Sequence, residues 1–203
     1  MIKFDNLTHL FDVDWDALQN HVRGLASLRK AGGAFGGWSV QSFSGSYLDG
    51  WVDGSAFMSR KNGVTNFNHE AAFAAGYRPN DAQVVETDAS CPALSSVIAQ
   101  MNTLGFEPRR ARLIQLEPGR KSSLHTDGAP QILRMHFVIE TNDDAWFRTP
   151  SSVEHLPARN VFLINVDDYH QVGNDGQTNR THLVVAVKDT QGVSKIHASI
   201  HAR

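Results

Sequence analysis

A single cysteine, Cys91, stands in 203 residues, so neither an internal disulfide framework nor a multi-cysteine zinc site can form. Excess charge of one sign is missing too. Nineteen Lys and Arg stand against 21 Asp and Glu, a net charge of −2, which leaves no bulk electrostatic reason to bind nucleic acid or an anionic membrane. No apolar run approaches the ~20 residues of a membrane span. The opening Met1-Ile2-Lys3-Phe4-Asp5, with Asp12, Asp14 and Asp16 soon after, has the pattern of neither a signal nor a transit peptide. Repeats, charge blocks and low-complexity tracts are also missing. The expectation is a soluble, cytoplasmic protein. At roughly 100–200 residues per domain, the chain reads as one domain. Its 41% apolar and 20% charged residues suffice for a core and argue against disorder. What the sequence has in plenty is histidine, ten in all, and that directs attention to metal sites.

The chain changes character part-way. Residues 1–105 mix helical patches with Gly-rich loops, 106–190 read as a series of short strands, and 191–203 as a tail. Asp14 is placed to cap a helix over 15–29, with Leu18, Val22, Leu25 and Leu28 on one face and Gly32-Gly33 beyond its end. Residues 33–54, around Trp38 and Trp51, read as strand and loop, and a short helix is expected over 68–76. The clearest helix runs from Ser90 to Leu104. Its apolar residues Leu94, Val97, Ile98, Met101 and Leu104 recur at helical spacing, Pro92 lies in the first turn and Gly105 follows. The period then drops to two. Residues 110–117 read as a strand closed by Pro118-Gly119. Residues 132–140 set Leu133, Met135, Phe137 and Ile139 against Arg134, His136 and Val138. Residues 161–166 form a short apolar strand. Residues 180–187 set Thr181, Leu183, Val185 and Val187 against Arg180, His182, Val184 and Ala186. Short strands with turn signals between them point to a sandwich or jelly roll.

His125-Thr126-Asp127 carries the first chemical signal. On an extended segment residues i and i+2 point to the same side, so the imidazole and the carboxylate can meet one ion. His170 follows at the end of the 161–166 strand region. Two histidines and one carboxylate form the facial triad of non-haem Fe(II) sites, which leaves positions open for co-substrate and O₂. By itself the H-x-D triplet reads more readily as a histidine beside a turn aspartate. Arg180 adds weight. The turn-forming 173–179 stretch can make a hairpin, which would put His170 and Arg180 on neighbouring antiparallel strands, and an arginine near a metal binds a carboxylate bidentately.

Taken in order, Leu116-Glu117-Pro118-Gly119, Leu124-His125-Thr126-Asp127, Leu133-Arg134-Met135-His136, His170-Gln171-Val172-Gly173-Asn174 and Arg180-Thr181-His182-Leu183-Val184-Val185 resemble the aspartyl/asparaginyl β-hydroxylase family. The resemblance covers about residues 108–188. It implies a mainly β fold with flanking helices, a double-stranded β-helix of the cupin-like jelly-roll kind. It also implies an Fe(II)- and 2-oxoglutarate-dependent oxygenase that hydroxylates an unactivated C–H of an amino acid or peptide side chain, with release of succinate and CO₂. On this resemblance His125, Asp127 and His170 would hold iron. Arg180 would hold the distal carboxylate of 2-oxoglutarate, with Arg134 and His136 helping to bind it. Animal members of the family lack the carboxylate ligand; Asp127 stands in that position here, as in bacterial members, some of which act on free amino acids. Ile114 stands where animal members carry a serine that contacts the co-substrate.

The expected partners are a small-molecule or peptide substrate and O₂, with no nucleic acid and no membrane. The strand face carrying Arg134, His136, Arg180 and His182 would line the lumen of a jelly roll, or face water in a half-exposed sheet. Trp38, Gln41 and Arg112 are candidates for substrate contact, with packing the alternative for Trp38 and a solvated face for the Arg109, Arg110 and Arg112 cluster. His197 and His201 read as part of a frayed tail, and Cys91 as a small buried residue. Two other functions fit the same pattern: a cupin-like metal enzyme that does not use 2-oxoglutarate, and a non-catalytic β-sandwich binding module.

Overall fold

The structure is a computed structural model, and it describes residues 4–26, 30–32, 34–42, 45–47, 58–61, 64–67, 85–127, 132–166 and 168–188. The chain begins with β1 (Phe4–Asn6), a 3-10 turn at Thr8–Leu10 and α1 (Trp15–Leu25). Next come β2 (Lys30–Gly32), β3 (Phe35–Ser39), β4 (Gln41–Ser42), β5 (Met58–Lys61), β6 (Val64–Phe67), β7 (Val85–Glu86) and α2 (Pro92–Thr103). The second half is all strand: β8 (Glu107–Leu116), β9 (Arg120–Lys121), β10 (Ile132–Glu140), β11 (Ala145–Arg148), β12 (Val153–Glu154), β13 (Val161–Asn165), β14 (Gln171–Asn174) and β15 (Arg180–Lys188).

Two antiparallel sheets face each other. The larger has the order β1-β13-β10-β15-β8-β3-β2, and the smaller β12-β11-β14-β9. Apart from β11 and β12, which pair within the smaller sheet, successive strands from β8 to β15 alternate between the two sheets, which is the winding of a jelly roll, as the alternation of short strands implied. Two-residue periodicity gives each long strand of the larger sheet one face for each layer. On the outer face Leu113, Met135, Phe137, Ile139, Leu183, Val185 and Val187 pack with Leu18, Val22 and Leu25 of α1 and Leu94, Val97, Ile98 and Met101 of α2 in one hydrophobic cluster. Burying each such side chain is worth roughly 1.5–3 kcal/mol, which is what docks two helices that are short on their own. On the inner face Leu116, Val138, Phe162 and Ile164 meet Phe147 and Val172 of the smaller sheet in a second cluster.

The Asp14 cap forms as expected, its carboxylate accepting from Ala17 N at 2.9 Å. The helix ends earlier than 29, at Leu25. Gly24, exposed and with nothing packed near it, weakens the last turn. The chain from Lys30 to Gly32 pairs with β3 instead of stopping a helix, and Leu28 and Gly33 lie outside the described residues. The second helix starts at Pro92 rather than Ser90, with half-buried Cys91 in the N-cap position. That corrects the expectation of a small buried cysteine. Trp51, the helix expected over 68–76, His197 and His201 all lie outside the described residues.

One glycine in the smaller sheet is forced by close packing. A Cβ on Gly173 would sit 2.2 Å from Cζ2 of Trp146, the indole of the paired residue on β11. That ring is itself held by its Nε1–H donating to Asp175 at 2.7 Å and by Arg148 stacked at 4.9 Å. Gly173→Ala must therefore expel or tilt the indole, an overpacking cost of roughly 1–3 kcal/mol. The expected result is a thermal midpoint lower by several degrees, measured by calorimetry; Gly173→Ala in a Trp146→Ala background should lose most of that effect.

Candidate metal centre

The strand ends that carry the sequence motif come together at one end of the smaller sheet. His125 and His170 pair across an isolated antiparallel bridge, each N–H donating to the other's carbonyl, at 3.0 and 2.8 Å. The bridge prolongs the ladder of β9 and β14 and puts both imidazoles on its inner side, their ring centres 4.4 Å apart. Asp127 follows His125 by two residues and joins the same side. His125, Asp127 and His170 can each offer one ligand atom, and those atoms lie within 4.8 Å of one another. The Nε2 atoms of His125 and His170 stand 3.6 and 3.8 Å from Asp127 Oδ1.

The outer partners of this trio define which atoms remain available. Nδ1 of His125 lies 2.8 Å from the carbonyl of Ser123, and Nδ1 of His170 lies 3.1 Å from the carbonyl of Asp168. A carbonyl only accepts, so each Nδ1 carries the proton and each Nε2 presents a lone pair, the usual outer arrangement around a metal-ligating histidine. Arg134 Nε donates to Asp127 Oδ2 at 2.9 Å, which leaves Oδ1 for the histidine side. Burial alone would raise the Asp127 pKa; the charge of Arg134, with His170, His125 and Arg112, outweighs it and holds the carboxyl below its ordinary value. Burial lowers the His170 pKa against the pull of Asp127. A neutral imidazole and an ionised carboxylate are the forms that bind a metal. Phe147 on β11 stacks on the His170 ring at 5.4 Å and 16°, which restricts its rotation.

The trio opens into a cavity of about 140 Å³ lined by Phe35, Arg112, Ile114, Arg134, His136, Phe147 and Arg180, among others. That is room for a small metabolite rather than a single water. Arg134, His136, Arg180 and His182 are all buried, so their strand face lines the lumen and does not face water. Arg180 is 4% exposed, its Nη2 has no hydrogen-bond partner among the described residues, and burial brings its pKa down to about 10. It is therefore a cation at neutral pH.

Several expectations need correction. The loop after β14 crosses from the smaller sheet to the larger, so His170 and Arg180 belong to opposite sheets and face the cavity from opposite walls, not from adjacent strands. Arg112 lines the cavity, whereas Arg110 is buried and Arg109 pairs with Glu107 at 2.9 Å; the three are not one solvated cluster. Trp38 is fully buried in the hydrophobic layer beneath the helices. Gln41 is buried on β4. Neither is among the residues that line the cavity, and for Trp38 the packing alternative describes its place. Phe147 was missed because 145–148 is too short to show a period. The carbonyl partners of His125 and His170 carry no side-chain signal at all.

The model of one protein family, described as aspartyl/asparaginyl beta-hydroxylase, matches residues 58–190. No curated protein matches the chain in sequence. Among solved structures, the chain is similar to an oxidoreductase of the 2OG-Fe(II) oxygenase family from Burkholderia pseudomallei, with 11% identity, a TM-score of 0.51, and 93% of this chain and 84% of that one covered. It is also similar to a viral collagen prolyl hydroxylase from Paramecium bursaria Chlorella virus-1, with 8% identity, a TM-score of 0.47, and coverage of 92% and 96%. A predicted oxalate decarboxylase from Thermotoga maritima aligns at 19% identity and a TM-score of 0.34 over 46% of this chain and 74% of that one. Among the described residues, no helix is long and apolar enough to cross a membrane.

Proposed function

The chain belongs to the aspartyl/asparaginyl β-hydroxylase family, and from that premise we propose that it is an Fe(II)- and 2-oxoglutarate-dependent oxygenase that hydroxylates an unactivated C–H of an amino acid or a peptide side chain, releasing succinate and CO₂. The observation that carries the reading is a matched pair of features on opposite walls of one cavity. Two imidazole Nε2 lone pairs and one carboxylate oxygen converge on one wall, and a buried arginine with an unpartnered Nη2 stands on the other.

The residues fit both groups. His125, Asp127 and His170 would hold Fe(II), a set of two histidines and one carboxylate that leaves positions open. Arg180 would hold the far carboxylate of 2-oxoglutarate, with Arg134 Nη1, also buried and unpartnered, and His136 beside it. When bound, the iron and 2-oxoglutarate supply the activation of O₂ for transfer of one oxygen atom to a C–H bond. The chain's own contribution is positional. Arg134 ties Asp127, on the smaller-sheet side, to the larger sheet and keeps one carboxylate oxygen turned away from the histidines. Phe35, Ile114, Phe147, Val166, Val172 and Val184 give the cavity apolar walls, which strengthens every charge interaction inside by keeping water out. Arg112 lines the same cavity, which supports a contact with substrate.

Under anaerobic conditions, adding Fe(II) and 2-oxoglutarate together should produce a weak visible charge-transfer band that neither produces alone, with coupled binding by calorimetry. No band and no coupling over repeated titrations would reject the reading. Metal-dependent turnover that neither requires 2-oxoglutarate nor forms succinate would point instead to a cupin-like metal enzyme. A screen of free amino acids and peptides, scored by mass gain of one oxygen, identifies the substrate.

A further inference from the structure

His136, which the reading above sets beside the co-substrate, is paired on the larger sheet with a second buried histidine, His182, that the reading does not use. His136 on β10 and His182 on β15 lie on the lumen face of adjacent strands, one step apart in register, since Val138 pairs with His182 and His136 with Val184. Their Nδ1 atoms are 3.2 Å apart and their rings are perpendicular, with centroids 5.5 Å apart. His182 is fully buried and its Nε2 has no hydrogen-bond partner among the described residues. His136 lines the cavity.

A hydrogen bond between two Nδ1 atoms needs one proton, not two and not none. Only one placement suits the surroundings. If His136 carried the proton on Nδ1, a neutral His182 would have to carry its own on Nε2, where a buried donor would find no acceptor. Buried donors without acceptors are the rarer defect in proteins. If His182 carries it on Nδ1, that donor is satisfied by His136, and the orphan at Nε2 is only a lone pair. His136 must then carry its proton on Nε2, the nitrogen not engaged by His182. Burial, then Arg180, keeps both rings well below the ordinary histidine pKa, so both are neutral at physiological pH.

We propose that His182 is a positioning residue that donates through Nδ1–H to His136 Nδ1, and so holds His136 as a neutral Nε2–H donor towards an anionic ligand in the cavity. The nature of that ligand, the carboxylate of 2-oxoglutarate, rests on the function proposed above; the tautomer assignment does not. The other tautomer would turn a lone pair towards the anion. An imidazolium would add a fourth cation to a cavity that already holds Arg112, Arg134 and Arg180.

Long-range proton–nitrogen correlation spectra of the whole protein, labelled with ¹⁵N histidine and without added metal, read each tautomer directly, with peaks assigned by His136→Gln and His182→Asn. The expected result is Nδ1–H for His182 and Nε2–H for His136. Nε2–H on His182, Nδ1–H on His136, or a charged ring at neutral pH overturns the proposal. As a second readout, anaerobic 2-oxoglutarate titration should show affinity reduced at least fivefold in His182→Leu. His182→Asn, whose amide N–H can occupy the place of Nδ1–H, should recover most of it, with Fe(II) affinity unchanged throughout. If the leucine variant does not fold, the asparagine variant and the wild-type spectrum decide. Equal loss in the leucine and asparagine variants overturns the proposal. Failure of the function proposed above appears separately, as wild-type protein with the expected tautomers and no 2-oxoglutarate binding.

Discussion

Arg180→Met should separate ligand binding from stability, lowering the first and sparing the second. A buried guanidinium without a carboxylate is costly to hold in the folded state, and Arg180 is buried with its Nη2 unpaired. Met keeps the length and the apolar stem while removing the charge. The ligand-free protein should therefore unfold at the same temperature as wild type or higher, since replacing a poorly compensated buried charge by an apolar side chain is often neutral or stabilising. Removing one partner of a desolvated charge pair costs about 2–5 kcal/mol. Since ~1.4 kcal/mol is tenfold, the apparent affinity for 2-oxoglutarate should fall by at least tenfold and by as much as several thousandfold. Fe(II) binding should persist, because Arg180 makes no hydrogen bond to the histidines or to Asp127. Arg180→Lys should recover part of the affinity, since a single ammonium cannot reproduce the two-pronged contact. Co-substrate affinity within twofold of wild type in Arg180→Met would remove Arg180 from the site. A large loss of thermal stability with unchanged affinity would assign it a structural role.

How much of this was legible in the sequence depends on the range of the forces involved. Strand faces were legible because period two is a local consequence of the backbone. The Leu133, Met135, Phe137 and Ile139 stripe and its opposite face emerged as read. Helix α2 was legible to within two residues, because apolar spacing, Pro92 and Gly105 agree. The end of α1 was not, because β2 competes for the following residues by pairing with β3, which no local pattern reports. The His125 and Asp127 pair was visible through i, i+2 geometry, and its meeting with His170, read first from residue type and position, gained its weight from the family resemblance. The error over His170 and Arg180 is informative. Turn composition between two strands says that the chain reverses, but not whether it returns in the same sheet or crosses to the facing one. Here the crossing matters, since it sets Arg180 opposite the trio and leaves room for a ligand between them. Trp38 stayed between packing and ligand contact for a related reason. A large aromatic in a Gly-rich segment looks available to a ligand until its strand is given a register, and pairing with Leu113 turns it towards the helices.

Asp127 is where the chemistry of the site can be most sharply tested. Its two oxygens have different partners: Oδ2 accepts from Arg134, and Oδ1 lies near both Nε2 atoms. If Asp127 is a ligand, it supplies a third protein bond to iron and neutralises one of the two metal charges. Outer partners of metal ligands are worth about 10–100-fold in affinity, and losing a ligand outright should exceed that range. Asp127→Ala should therefore weaken Fe(II) binding by at least about 100-fold and abolish hydroxylation. The alanine variant also strips Arg134 of its partner, so reduced stability alone could mimic part of the effect. Asp127→Asn is the control. Its amide oxygen can still accept from Arg134 Nε, so the fold should be kept, while its second group offers an NH₂ that cannot ligate. The asparagine variant should thus melt close to wild type and still bind iron poorly. If iron is instead held by His125 and His170 alone, water can fill the vacant position, and both variants would keep iron affinity and turnover within about twofold, well under the ~1.4 kcal/mol that a tenfold change represents. In that case Asp127 acts only through Arg134, and Arg134→Met and Asp127→Ala should leave Fe(II) affinity equally little changed, whereas a true ligand makes the aspartate variant far the more damaging to iron binding.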